Sequence, residues 1–109
     1  MALVVVELAL EIIQALRPLM PLIQRRDREL ASQLGRAANS MLLNAAEAAY
    51  SDPGTKRSRF HSSAGSANEA RTALRGALAW GYVTEQQAQA ALALFDRELA
   101  MLWRLTRGP

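Results

Sequence analysis

The run Leu30-Ala31-Ser32-Gln33-Leu34-Gly35-Arg36-Ala37-Ala38-Asn39-Ser40-Met41-Leu42-Leu43-Asn44-Ala45-Ala46-Glu47-Ala48 decides the fold. At 100° per residue Leu30, Leu34, Ala37, Met41, Ala45 and Ala48 fall in one narrow stripe, the mark of a helix that buries one face. Asp27 is a plausible N-cap, so the spacing predicts a helix over about 27–50. Ser40, Asn44 and Glu47 flank the stripe at the same spacing. Polar groups at the edge of a core need partners, and Ser66, Glu69 and Arg71 on the next segment are the candidates. An internal network that fixes register between two helices is favoured here over a ligand site.

Outward from that run, Ser51-Asp52-Pro53-Gly54-Thr55 is punctuated as a turn. A third helix is expected over about 56–80, with Phe60, Ala64, Ala67, Leu74 and Leu78 as its stripe and Arg71 inside it. Gly81 supplies its stop, where a left-handed residue costs glycine nothing. Thr84-Glu85-Gln86-Gln87 reads as a capping box opening a fourth helix over about 84–106. Ala88, Leu92, Phe95, Leu99 and Leu102 face the core there, and the end frays into Thr106-Arg107-Gly108-Pro109. Toward the start, a first helix over about 3–17 presents Val6, Leu10, Ile13 and Leu16 to the core. Leu8, Ile12, Ala15 and Leu19 form a second apolar face. Pro18 and Pro21 end or kink it, and Gln24-Arg25-Arg26-Asp27 reads as a polar connection. Connections this short make neighbouring helices antiparallel. The expected fold is all-α, an up-down-up-down four-helix bundle forming one domain over 1–109.

Composition fits. Half of the 109 residues are hydrophobic but only 6% are aromatic, so the core is built from aliphatic side chains and alanine, a helix-favouring mixture. There is no cysteine, which excludes disulfides and thiolate chemistry and suits a cytoplasmic location. The apolar start lacks a basic leader and runs into Glu7 and Glu11, so neither a signal peptide nor a membrane span is expected.

Catalytic equipment is not expected either. His61 is the sole histidine and lacks an acidic residue at one-turn spacing, so no triad or zinc site is expected. No Glu-x-x-His occurs to support a di-metal centre. Gly54, Gly65, Gly76 and Gly81 compose no phosphate-binding loop; Gly65 and Gly76, mid-helix, suggest close helix approach within the bundle or between subunits. No cofactor, metal or catalytic residue is assigned.

The net charge is +3, carried by twelve arginines and one lysine. Guanidinium forks match phosphate oxygens. Arg25, Arg26 and Arg28 gather at the first junction, and Lys56, Arg57 and Arg59 at the second, with Arg36 and Arg75 between. These eight are the candidate nucleic-acid contacts. No aromatic platform interleaves them, so sequence-specific stacking on single strands is not expected. Two apolar lines exceed what a four-helix core needs: Leu8 and Ile12 on the first helix, and Leu94, Met101 and Leu105 on the last. They are assigned to a homo-oligomer interface.

These features carry a resemblance. The chain resembles the bacterial four-helix-bundle family first noted as proteins encoded in 23S rRNA intervening sequences, which is related to the accessory variability protein of diversity-generating retroelements. The family's second helix typically reads Ser-Ile-Pro-Ser-Asn-Ile-Ala-Glu-Gly; here Ser40-Met41-Leu42-Leu43-Asn44-Ala45-Ala46-Glu47-Ala48 stands in its place. Arg59-Phe60-His61, Gly65-Ser66-Ala67-Asn68-Glu69 and Gly81-Tyr82-Val83 match its Arg-Phe-Leu, Gly-Ser-x-x-Glu and Gly-Tyr-Leu. The family's proline is Leu42 here, its glycine is Ala48, and a usually acidic position is Arg71, which is expected to answer Glu47. The resemblance implies bundles assembled into rings, commonly pentamers, with no enzyme activity. For the retroelement branch it implies a basic surface that binds nucleic acid and a reverse transcriptase partner. The reading is a non-enzymatic homo-oligomeric accessory protein that binds RNA or DNA. The alternative is a structural or protein-partner adaptor with no nucleic-acid role.

Overall fold

A computed structural model describes residues 2–107, and among these every regular element is helical. The elements are α1 (Ala2–Leu16), α2 (Met20–Arg26), α3 (Arg28–Ala49), α4 (Pro53–Ala79) and α5 (Glu85–Arg107). The most extensive packing joins α3 to α4, then α4 to α5, while α1 rests on both α3 and α5 and α2 on α3. Along α3 and α4 the contacts run in opposite directions: Ser40 meets Ser66, Met41 meets Ser63 and Glu47 meets Arg59. The same holds for α4 and α5, where Arg57 meets Thr106 and Arg71 meets Asp96.

The local signals are realised where side chains meet the backbone. The Asp27 carboxylate accepts from the Leu30 amide at 2.9 Å and caps α3. At the head of α5 the Gln87 amide donates to Thr84 Oγ1 at 3.1 Å and the Thr84 amide to Gln87 Oε1 at 2.9 Å, a closed capping box. Gly81 has φ +80°, and the Tyr82 amide donates to Ala77 O while the Gly81 amide donates to Leu78 O, the paired bonds of a Schellman stop.

Two expected connections are helical instead. Residues 24–26 belong to α2, because Pro21 stands in its first turn, where a missing amide hydrogen leaves no bond unmade. For the same reason α4 begins at Pro53 rather than near Lys56, with Asp52 as its cap. α5 continues helical through Arg107; Gly108 and Pro109 lie outside the described residues.

The first helix turns a different arc to the core from the one expected: Leu16 is buried as expected and Val6 and Ile13 are half-buried against the core, but Leu10 is not enclosed. Leu8 and Ile12 are 2% and 0% exposed, whereas Leu10 is 40% exposed and Leu3 57%. Leu8 and Ile12 therefore belong to the core and form no surface line. α1 packs between α3 and α5, so its buried arc is set by both neighbours, and hydropathy on one helix cannot rank two apolar arcs.

A Cβ added at Gly65 or Gly76 would meet nothing within 4 Å, so neither marks a close approach inside the chain. Opposite stability effects follow. Gly81→Ala should cost about 1 kcal/mol by placing a side chain in left-handed backbone. Gly65→Ala should add roughly 0.5–1 kcal/mol of helix propensity. Denaturant melts of the two variants would check the signs.

Candidate functional site

The basic residues sort to two regions along the molecule. In the first, Arg25 and Arg26 close α2 and Arg28 opens α3, all exposed. The Arg26 guanidinium lies 5.4 Å from the Tyr82 ring centroid, and Tyr82 stacks on Trp80 at 6.3 Å. The Tyr82 hydroxyl donates to Asp27 Oδ2 at 3.3 Å. Burial, then the Asp27 charge, hold that phenol above its ordinary range.

In the second region, Arg57 Nε donates to the Thr106 carbonyl at 2.9 Å, one of the last carbonyls of α5 that the helix itself leaves unpaired. Thr106 Oγ1 donates to Trp103 O at 3.0 Å. Arg107 lies over the Trp103 indole at 4.1 Å, and Arg104 is exposed beside it. From Thr84 to Thr106 α5 rises about 33 Å at 1.5 Å per residue, within a molecule 43 Å long. The two regions therefore stay apart in one chain, and exposed Arg36 and Arg75 lie on α3 and α4 between them.

Both regions hold an aromatic ring under an arginine, which corrects the expectation that none interleaves the bases. The signal was present for the second: Trp103 and Arg107 stand four apart on one helix, a spacing that brings side chains together. Arg104 and Arg107 are not among the eight expected contacts, because they stand far in sequence from the second junction and only the packing of α5 on α4 brings them near Arg57.

The polar seam forms with partly different members. Ser40 and Ser66 hydroxyls meet at 2.7 Å, and Asn44 Nδ2 donates to Ser40 O at 2.9 Å and to its Oγ at 3.1 Å. Glu47 pairs with Arg59 at 3.3 Å rather than with Arg71. Arg71 instead donates from Nε to Asp96 Oδ1 at 2.8 Å on α5. It is five residues past Ser66, about 140° round the helix, which turns it away from α3. Glu69 is exposed and outside the network. Asn44 Oδ1 in turn accepts from Arg59 at 3.5 Å, so Ser40, Asn44 and Ser66 are hydrogen-bonded within the α3–α4 seam. Of the expected interface residues, Leu94, Met101 and Leu105 are half-buried against the edge of the core.

The least expected group is Glu98. It lies in the inward row of α5 with Ala91, Phe95 and Leu102 and is 0% exposed. Neither carboxyl oxygen has a hydrogen-bond partner. Desolvation pushes its pKa up to about 8, so at neutral pH the surface is one unit more positive than the formal +3. Among the described residues no helix is long and apolar enough to cross a membrane, and no three acidic or histidine side chains gather as a metal site.

A family model described as 23S rRNA-intervening sequence protein matches residues 2–104. A crystal structure of a protein of unknown function, from the S23 ribosomal protein family of Bacteroides thetaiotaomicron, superposes with a TM-score of 0.85. It is 18% identical, and the match covers 95% of this chain and 99% of that one, a likeness of fold. No curated protein matches the chain.

Proposed function

The chain belongs to the 23S rRNA-intervening sequence protein family, and from that premise we propose a non-enzymatic accessory protein that binds RNA or DNA through its arginine surface. Charge without partners is the observation that carries this reading. Among the described residues only Arg59 and Arg71 have a carboxylate within 4 Å, so the remaining guanidinium groups are free to meet phosphate. The associated architecture is an up-down-up-down four-helix bundle with α2 inserted at one turn, supported by the opposed contacts of α3, α4 and α5. Exposed Leu3, Val4 and Leu10 and half-buried Leu94, Met101 and Leu105 support a homo-oligomer; the family resemblance favours a pentameric ring. A ring multiplies the charge of each chain and turns a weak patch into a strong one. A reverse transcriptase is the protein partner this reading proposes.

Titration of generic RNA and duplex DNA against salt tests it. Micromolar binding is expected at low salt. If each chain neutralises three phosphates, affinity should fall roughly 40-fold between 50 and 200 mM salt. Absence of micromolar binding at the lower concentration would leave the structural or protein-partner adaptor.

A further inference from the structure

The α4–α5 groove beside the Arg57–Thr106 contact combines apolar and basic side chains. Ala64 from α4 and Leu99, Ala100 and the Trp103 indole from α5 give an open hollow of about 770 Å³ its apolar lining. The small side chains at 64 and 100 leave the space, and Trp103, 57% exposed, forms a flat wall. Arg104 and Arg107 are also in the lining, with His61, and Arg57 is bonded to the lining residue Thr106. No carboxylate lines the groove. Asp96, one turn along α5 from Leu99, is engaged by Arg71 at 2.8 Å.

How these cations are held matters. Arg107 rests on the indole face at 4.1 Å rather than on a carboxylate, so its donors keep their capacity for an anion. Arg57 spends only Nε on Thr106 and leaves its terminal nitrogens available. That bond also ties the start of α4 to the end of α5. A flat apolar wall beside guanidinium groups without carboxylate partners complements a molecule that carries both an aromatic face and an anionic group.

We propose that this groove is a binding site for one unpaired nucleotide of a single-stranded nucleic acid, its base stacked on the Trp103 face that Arg107 leaves uncovered and its phosphate held by Arg57, Arg104 and Arg107. A duplex fits less well, because its bases are already stacked and offer no free face. Stacking does not depend on the sugar, so RNA and DNA single strands should both enter. The site deepens the nucleic-acid reading above and rests on it.

The test uses the full chain carrying Trp80→Phe, which leaves Trp103 as the sole indole. Eight-nucleotide oligo(A), oligo(dA) and a duplex of equal length are titrated while Trp103 emission and oligomer anisotropy are followed together. Saturable quenching by both single strands at micromolar concentration, and little by the duplex, is expected. In the otherwise natural chain, Trp103→Ala should weaken single-strand binding by about 5- to 150-fold, the worth of one base–aromatic stack, and leave duplex binding within twofold. Trp103→Phe should recover part of the loss. Arg104→Gln should reduce the salt slope for single strands by about one. Anisotropy that reports binding while Trp103 emission stays unchanged would overturn the groove and leave the general reading standing. Absence of binding to any of the three oligomers would overturn both. Emission that changes with protein concentration alone would assign the groove to a second copy of the chain and overturn the proposal.

Discussion

Glu98→Leu is expected to stabilise the protein by roughly 3 kcal/mol at pH 7 and to abolish most of its stability loss between pH 5 and pH 8. The expectation follows from where the carboxyl sits. It has no exposure and no hydrogen-bond partner, so ionisation inside the fold is opposed by desolvation and answered by nothing. Its folded pKa of about 8 stands above the ordinary 4.5. Below pH 4.5 both the folded and unfolded chains carry the proton and no penalty arises. Above it the unfolded chain releases the proton while the folded one keeps it, and stability falls by about 1.4 kcal/mol per pH unit. The loss levels off near pH 8, where the folded carboxyl ionises too.

Leucine has neither the proton nor the polar oxygens, at similar volume, so its melting temperature at pH 7 should exceed the natural chain's by 10 °C or more, taking about 4 °C per kcal/mol. Glu98→Gln should also flatten the pH dependence, but with a smaller gain because a buried amide remains unsatisfied. Circular-dichroism melts at pH 5, 7 and 8.5 would decide. Equal pH slopes in the natural chain and Glu98→Leu would show that the carboxyl is not the titrating group. The groove's Trp103 and arginines are separate from this residue, so single-strand binding at pH 7 should survive Glu98→Leu.

Glu98 also marks the limit of what the sequence discloses. Signals written within one turn of chain were legible: the Asp27 cap, the Thr84–Gln87 box and the left-handed Gly81 each depend on residues up to five apart. The stripe of α3 was legible because the residues outside it are polar or small, Leu42 and Leu43 excepted. A glutamate inside an inward row is invisible to a pattern that scores only apolar residues, and its burial is decided by the helices that close over α5. The seam was half legible for a related reason. Spacing placed Ser40 and Asn44 on one edge, but the choice of Arg59 over Arg71 as Glu47's partner depends on the rotation of α4. The second arginine region is half legible: Lys56, Arg57 and Arg59 cluster in the sequence, but that Arg104 and Arg107 join Arg57 depends on α5 packing its end beside the start of α4.

The shifted buried arc of α1, with Ile12 enclosed and Leu10 outward, gives the second large expected effect. Ile12→Ala should cost about 2–5 kcal/mol, because a fully enclosed aliphatic side chain is lost and a cavity replaces it. Leu10→Ala, two residues away, should cost less than about 0.5 kcal/mol in a lone chain, because Leu10 is already 40% exposed. The comparison separates core from interface in a way that a single charge insertion cannot. Ile12→Glu would disperse an assembly merely by unfolding its subunits. Leu10→Glu leaves the core intact, so dispersal with helix content and melting behaviour preserved would place the subunit contact on the outward line of Leu3 and Leu10. Leu94→Glu and Met101→Glu, at half-buried positions on α5, probe the same contact from the neighbouring helix. Light scattering beside circular dichroism reads both quantities at once. Subunits that stay assembled with Leu10→Glu and Met101→Glu would move the contact elsewhere, and a natural chain that is monomeric at micromolar concentration would remove it. In that last case the arginine surface acts through single chains, and the salt slope of binding should correspond to the few phosphates one chain can reach.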